Sequence, residues 1–108
     1  MSEIEYSDWQ KLDIRIGTVI EAKKAQNADK LIVLQIDFGE EKKQVVTAMA
    51  EFFDANYFVG KQIPVIVNLK PRTMRGLESA GMIVSAEADG KPVLLHPENK
   101  IANGSKVE

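Results

Sequence analysis

Lys70, Arg72 and Arg75 fall within six residues of one another, and from Lys61 to Gly76 the chain carries four cations and no acid. A guanidinium meets a phosphate through two parallel hydrogen bonds or stacks on a base, whereas an ammonium acts as a point charge. Asn68 and Ser79 bracket these cations with neutral groups that suit a base edge or a sugar hydroxyl. Lys30, Lys42 and Lys43 extend the basic surface if the fold brings their strands alongside. Such a set of donors matches structured RNA, which is recognised mainly by shape, phosphate and 2′-hydroxyl.

Other chemistry is sparse. The single histidine, His96, lies in a His-Pro-Glu turn with no nucleophile in a recognisable motif beside it, and the chain has no cysteine. A zinc site, a disulfide framework and a thiol nucleophile are therefore not expected. Neither a Gly-Lys-Ser/Thr phosphate loop nor a paired-glycine dinucleotide fingerprint occurs. Asp13, Asp29 and Asp37 stand at strand ends or turns, where capping accounts for a carboxylate. Met49, Met74 and Met82 read as core filler, with Met82 open to a second role. No catalytic residue, metal or cofactor is assigned.

The elements that must position the cations follow from periodicity. Ser7 reads as an N-cap opening one short helical turn through Lys11, with Trp9 and Leu12 covering one end of a core. Leu12, Ile14 and Ile16 alternate with polar residues as a strand continuing to Ala22, in which Gly17 marks a bulge or a close approach. A polar turn over 23–29 leads to an apolar strand over 30–39, and Gly39-Glu-Glu-Lys42 turns into a third strand ending at Met49. These three form an antiparallel meander. Phe52, Phe53, Tyr57 and Phe58 cluster in a short helix or pair of turns that plugs the core. A fourth strand runs from Lys61 to Leu69, where Pro64 argues for an edge or a bulge. A fifth spans Met82 to Ala86, Asp89-Gly90 is a tight turn, and a short sixth covers Pro92 to Leu95. The basic stretch is thus a loop between the fourth and fifth strands. Short strands around one helical plug predict an all-β fold; a five-stranded Greek-key oligonucleotide-binding (OB) barrel with a short helix and a C-terminal extension is the candidate, and an SH3-like barrel would read similarly.

At 108 residues a single domain, 1–108, is expected, with a core of its own. Hydrophobic residues make up 44% and charged residues 28%, too apolar for disorder. The net charge of −2 is unlike the basic balance of many nucleic-acid binders, but it conceals acids gathered at Glu3, Glu5 and Asp8, away from the basic stretch. The acidic opening lacks a signal-peptide pattern and no apolar run approaches a membrane span, so a cytoplasmic protein with no membrane contact is expected.

Several motifs carry a resemblance. Leu-Asp-Ile-Arg-Ile-Gly (12–17), Asn-Ala-Asp-Lys-Leu (27–31), Ile-Asp-Phe-Gly (36–39), Asn-Leu-Lys-Pro (68–71) and Arg-Gly-Leu-Glu-Ser-Ala-Gly-Met (75–82) resemble the motif series of the tRNA-binding domain. That domain is appended to methionyl-tRNA synthetases and also occurs as free-standing proteins and synthetase β subunits. The resemblance implies an OB barrel that binds tRNA by shape, forms a homodimer, assists a methionyl-tRNA synthetase and has no enzymatic activity of its own. It places tRNA contacts on Asn68, Lys70, Ser79 and Met82, beside Lys30, Arg72 and Arg75 from the charge pattern. Two departures stand out: Ala48 occupies a position where the family has glycine, and Lys43-Gln44 replaces a common arginine. The Trp-Gln-Lys-Leu-Asp-Ile-Arg opening and His-Pro-Glu are also similar to a secretion-related, peptide-binding chaperone group on the same barrel. In that group the Asn-Leu-Lys-Pro and Ser-x-Gly-Met motifs are altered, and here both are intact.

Overall fold

The computed structural model describes residues 2–108. Three strands, β1 (Ile14–Lys24), β2 (Ile32–Asp37) and β3 (Lys42–Thr47), form the antiparallel meander that the alternation predicts. β4 (Gln62–Ile66) returns along the first half of β1, and β7 (Met82–Ile83) pairs with β4, giving the order β3-β2-β1-β4-β7. The circuit closes where Ala80 N–H donates to the Gln44 carbonyl of β3 at 2.8 Å. A meander whose fourth strand crosses back to its first, and whose last strand meets its third, is an OB-type barrel.

The pleat decides which side chains fill it. Ile32, Leu34 and Ile36 of β2 point inward with Val19, Val45, Ile63 and Val65, while Val33 and Gln35 face outward. Full burial of each large apolar side chain contributes about 1.5–3 kcal/mol. The aromatic plug is a 3-10 helix, Ala55–Phe58: Phe58 is fully buried, and Phe53 stacks on Tyr57 with centroids 4.9 Å apart.

Four expectations change. The helix α1 (Tyr6–Gln10) starts before Ser7, its cap formed by the Asp8 carboxylate accepting the Glu5 N–H at 3.3 Å, and it buries no residue. Trp9 is therefore not a core lid. Gly17 is not at the bulge, which lies between Val19 and Glu21; a Cβ at Gly17 would sit 2.5 Å from Ile36 Cγ2 and 2.7 Å from Phe38. Close approach is the reason for that glycine. Pro64 lies in an inner strand, paired with Ile16, and its carbonyl accepts from Val84 on the β7 side. Its missing N–H consequently faces a partner strand only two residues long, where few ladder bonds are required. The fifth strand divides: β7 ends at Ile83, and β8 (Ser85–Ala88) leaves the barrel to pair with β9 (Lys91–Leu94) across the Asp89-Gly90 turn.

The C-terminal extension is built into the sheet. β10 (Lys106–Val107) pairs with the start of β1, and Gly104 N–H donates to the Ile16 carbonyl at 2.7 Å. Among the described residues, no helix is long and apolar enough to cross a membrane.

Candidate nucleic-acid interface

The basic stretch is a hairpin rather than a loop. β5 (Arg72–Met74) and β6 (Leu77–Ser79) pair Arg72 with Ser79 and Met74 with Leu77. Arg75 (φ 52°) and Gly76 (φ 81°) form the two-residue tip, both left-handed as the tight hairpin turn requires. Asn-Gly is the usual pair there, so Arg-Gly hid the turn from sequence reasoning. Met74 and Leu77 pack on Ala25, Leu31, Val33 and Val46, forming a second apolar cluster on the outer face of β2 and β3. The hairpin is thereby seated on the barrel rather than projecting from it.

Hydrogen bonds complete that seat. The buried Ser79 hydroxyl accepts the Val46 N–H and donates to the Gly81 carbonyl, both at 3.0 Å. Gln44 donates from Nε2 to the Glu78 carbonyl at 2.9 Å, and its Oε1 accepts from Gln35 Nε2 at 3.0 Å. A neutral glutamine thus bridges β3 to the hairpin. At the other end, Asn68 accepts the Asp13 N–H at 2.9 Å and donates to the Lys11 carbonyl at 2.7 Å. The Val67 N–H adds a bond to the Asp13 carbonyl at 2.8 Å. Asn68 therefore ties the hairpin root to the segment after α1.

The residues singled out in the sequence divide accordingly. Asn68 and Ser79 have their polar groups engaged by the protein's own backbone, and Ser79 is out of solvent. Met82 is exposed on β7 and is not core filler. Lys70, Arg72 and Arg75 are exposed, and among the described residues none of the three forms an ion pair. Lys30 is exposed on the turn preceding β2, with its ammonium 3.8 Å from Glu51. Lys43 faces Glu41 at 3.5 Å, which leaves it a weak contributor. Arg15 pairs with Asp13 at 2.7 Å, and this hydrogen bond raises its pKa further above an already high value. Its charge is permanent but locally answered.

Sequence reasoning missed the ground between the hairpin and the β1–β2 turn. A groove of about 380 Å³ runs there, bordered by Lys23, Lys24, Asn27, Gln35, Arg75 and Leu77. In OB barrels the outer face of strands 2 and 3, flanked by the first and fourth inter-strand loops, is the usual oligonucleotide surface. The groove has that location. The alternation of β2, which turns Val33 and Gln35 outward, was the available signal.

An OB barrel with an unpaired basic hairpin beside this face is, as a class, a nucleic-acid-binding module. The family model described as "Putative tRNA binding domain" matches residues 14–106, and the chain belongs to that family. It is 49% identical over 105 residues to the methionine–tRNA ligase of Archaeoglobus fulgidus, and 46% identical over 106 residues to that of Parabacteroides distasonis. Each alignment takes in 97% of this chain but only 16% of the relative, so the chain spans about one-sixth of those ligases. Among solved structures it is similar to a MetRS-related protein from Pyrococcus horikoshii, with a TM-score of 0.95, 33% identity and full coverage of both chains. The CsaA chaperone of Bacillus anthracis matches with a TM-score of 0.89 and 31% identity, over 99% of this chain and all of that one.

Proposed function

We propose that this chain, acting as a single domain, binds tRNA by shape through the cations of its β5–β6 hairpin, without catalysis of its own. The observation that carries the reading is three exposed cations, Lys70 just before the seated hairpin and Arg72 and Arg75 on it, with no acidic partner among the described residues. Because the hairpin backbone is already seated, no loop has to be ordered when phosphates arrive, and the released counterions make such binding salt-dependent. Exposed Lys30 and Met82 are further candidates for contact with the RNA, whereas Asn68 and Ser79 act by holding the hairpin. Membership of the tRNA-binding domain family supports tRNA as the nucleic acid.

Filter binding of mixed tRNA at increasing salt tests the reading. Affinity that falls linearly on log-log axes is expected; absence of binding at low salt refutes it.

The names of the relatives support a methionyl-tRNA synthetase as the enzyme assisted in the cytoplasm, whether this chain is free-standing or a subunit. Co-elution with a synthetase on gel filtration tests that association. A homodimer belongs to the same proposal, supported by exposed Val93, Leu95 and Ile101 on the extension, and a monomeric mass by light scattering removes it. The likeness to CsaA carries a second reading, peptide binding by an apolar surface of the same barrel. Suppressed aggregation of a denatured client, insensitive to added tRNA, is the result that favours it.

A further inference from the structure

The barrel wall is incomplete beside its closing segment. Ala80 N–H reaches the Gln44 carbonyl, but beyond that bond β3 ends at Thr47, while the chain that closed the barrel runs on through β7 into β8. A cavity of about 350 Å³ lies in the gap, with Thr47, Met49 and Phe52 on one bank and Ser85, Ala86 and Glu87 on the other.

The β8–β9 register decides which backbone groups face that cavity. Ala88 and Lys91 flank the two-residue Asp89-Gly90 turn and are therefore a hydrogen-bonded pair. Pairs alternate from there, which leaves Glu87 opposite Pro92 in a pair without ladder bonds, where a proline is tolerated. The N–H and C=O of Ser85 and Glu87 consequently point away from β9, along the edge that borders the cavity. On that side, neither residue's backbone is hydrogen-bonded to another described residue. A free edge is a template for a further strand, and here the facing bank adds apolar side chains, Met49 and the exposed Phe52, that a bare edge lacks. Glu87 is the sole charged residue lining the cavity.

We propose that the free edge of β8 takes an extended peptide as an added strand, its backbone paired with Ser85 and Glu87, an apolar side chain against Phe52 and Met49, and a cation beside Glu87. The site gives the peptide-binding reading a location and rests on that reading rather than on tRNA binding. Lys70, Arg72 and Arg75 do not line the cavity.

The probe is a blocked pentapeptide, acetyl-Lys-Val-Phe-Val-Lys-amide, titrated into isotope-labelled protein and followed by NMR. Saturable shifts are expected at the backbone amide signals of Ser85 and Glu87. N-methylation of alternate peptide residues gives two versions, each lacking the donors of one strand edge. One version should bind like the parent and the other should not, because only one edge pairs with β8; equal behaviour of the two overturns strand addition. Glu87→Pro deletes the outward N–H while sparing the β9 ladder, and should raise the peptide Kd at least about fivefold, the size of one backbone hydrogen bond. Glu87→Ala keeps that N–H and should weaken binding less. Should Glu87→Pro lose its cooperative melt, the two N-methylated peptides on the unaltered protein decide. A folded Glu87→Pro that loses tRNA affinity and keeps the peptide gives the edge to RNA and overturns the proposal. Shifts confined to other residues, with unchanged affinity in Glu87→Pro, overturn this edge and leave the peptide reading to its denatured-client test. Absence of binding overturns the site, and absence of client protection as well overturns the peptide reading with it.

Discussion

The stretch from Asn68 to Met82 contains two regions of opposite character. Its ends, Asn68 and Ser79, are polar side chains whose hydrogen bonds all run inward to backbone at residues 11–13, 46 and 81. Its middle, Lys70 to Arg75, presents cations outward with no acid to meet them among the described residues. By sequence alone the two look alike, a run of groups able to touch RNA. The structure separates scaffold from surface. The ends use their donors and acceptors to fix geometry, and the middle leaves its charge without an ion pair among the described residues.

If that division is correct, removing an end must lower stability first and binding second. Ser79→Ala leaves the buried Val46 N–H without its acceptor, at a cost of about 1–3 kcal/mol. The melting temperature should fall, and tRNA affinity should fall with it, at an unchanged salt slope because no charge is lost. Full stability in Ser79→Ala, with affinity lost, would move Ser79 to the binding surface and break the comparison. Asn68→Ala removes two bonds at a more exposed site, so a smaller loss of about 1 kcal/mol is expected in a denaturant melt. Its effect on binding should vanish if the hairpin root is held by other means.

The middle should behave in the reverse way. Arg75→Asn puts a residue that tolerates left-handed backbone at the tip, and stability should rise by up to about 0.5 kcal/mol. At the same time the log-log salt slope for tRNA should become shallower by about 1. A variant that gains stability while losing affinity would sharpen the division more than any simple loss. Met82→Ala is the smallest: on an exposed position it should change stability by less than about 0.5 kcal/mol. Any loss of tRNA affinity there should come without a change in slope.

Much of the fold was legible in the chain because it is local. The alternation of Ile32, Leu34 and Ile36, the Asp89-Gly90 turn and the aromatic cluster ending in buried Phe58 each announce themselves within a few residues. The hairpin did not, since its strands are three residues each and its tip uses arginine where asparagine is usual. Nor did the work of Asn68 and Ser79, whose partners lie 55 and 33 residues away in the chain. Their motifs marked them as important, but a motif does not say whether a side chain points at the ligand or at its own fold. Gln35 and Gln44 were missed for the same reason. Two unremarkable glutamines form a directed pair only once β2 and β3 are in register.

On the proposed function, the cations of 70–75 are the tRNA-binding charge and the ends of the stretch only hold them. Replacing Lys70, Arg72 and Arg75 together by Ala and measuring tRNA affinity against salt tests it most directly. The slope should become shallower by about 2–3, with the melting temperature essentially unchanged. A slope equal to that of the unaltered protein would place the binding charge elsewhere and contradict it.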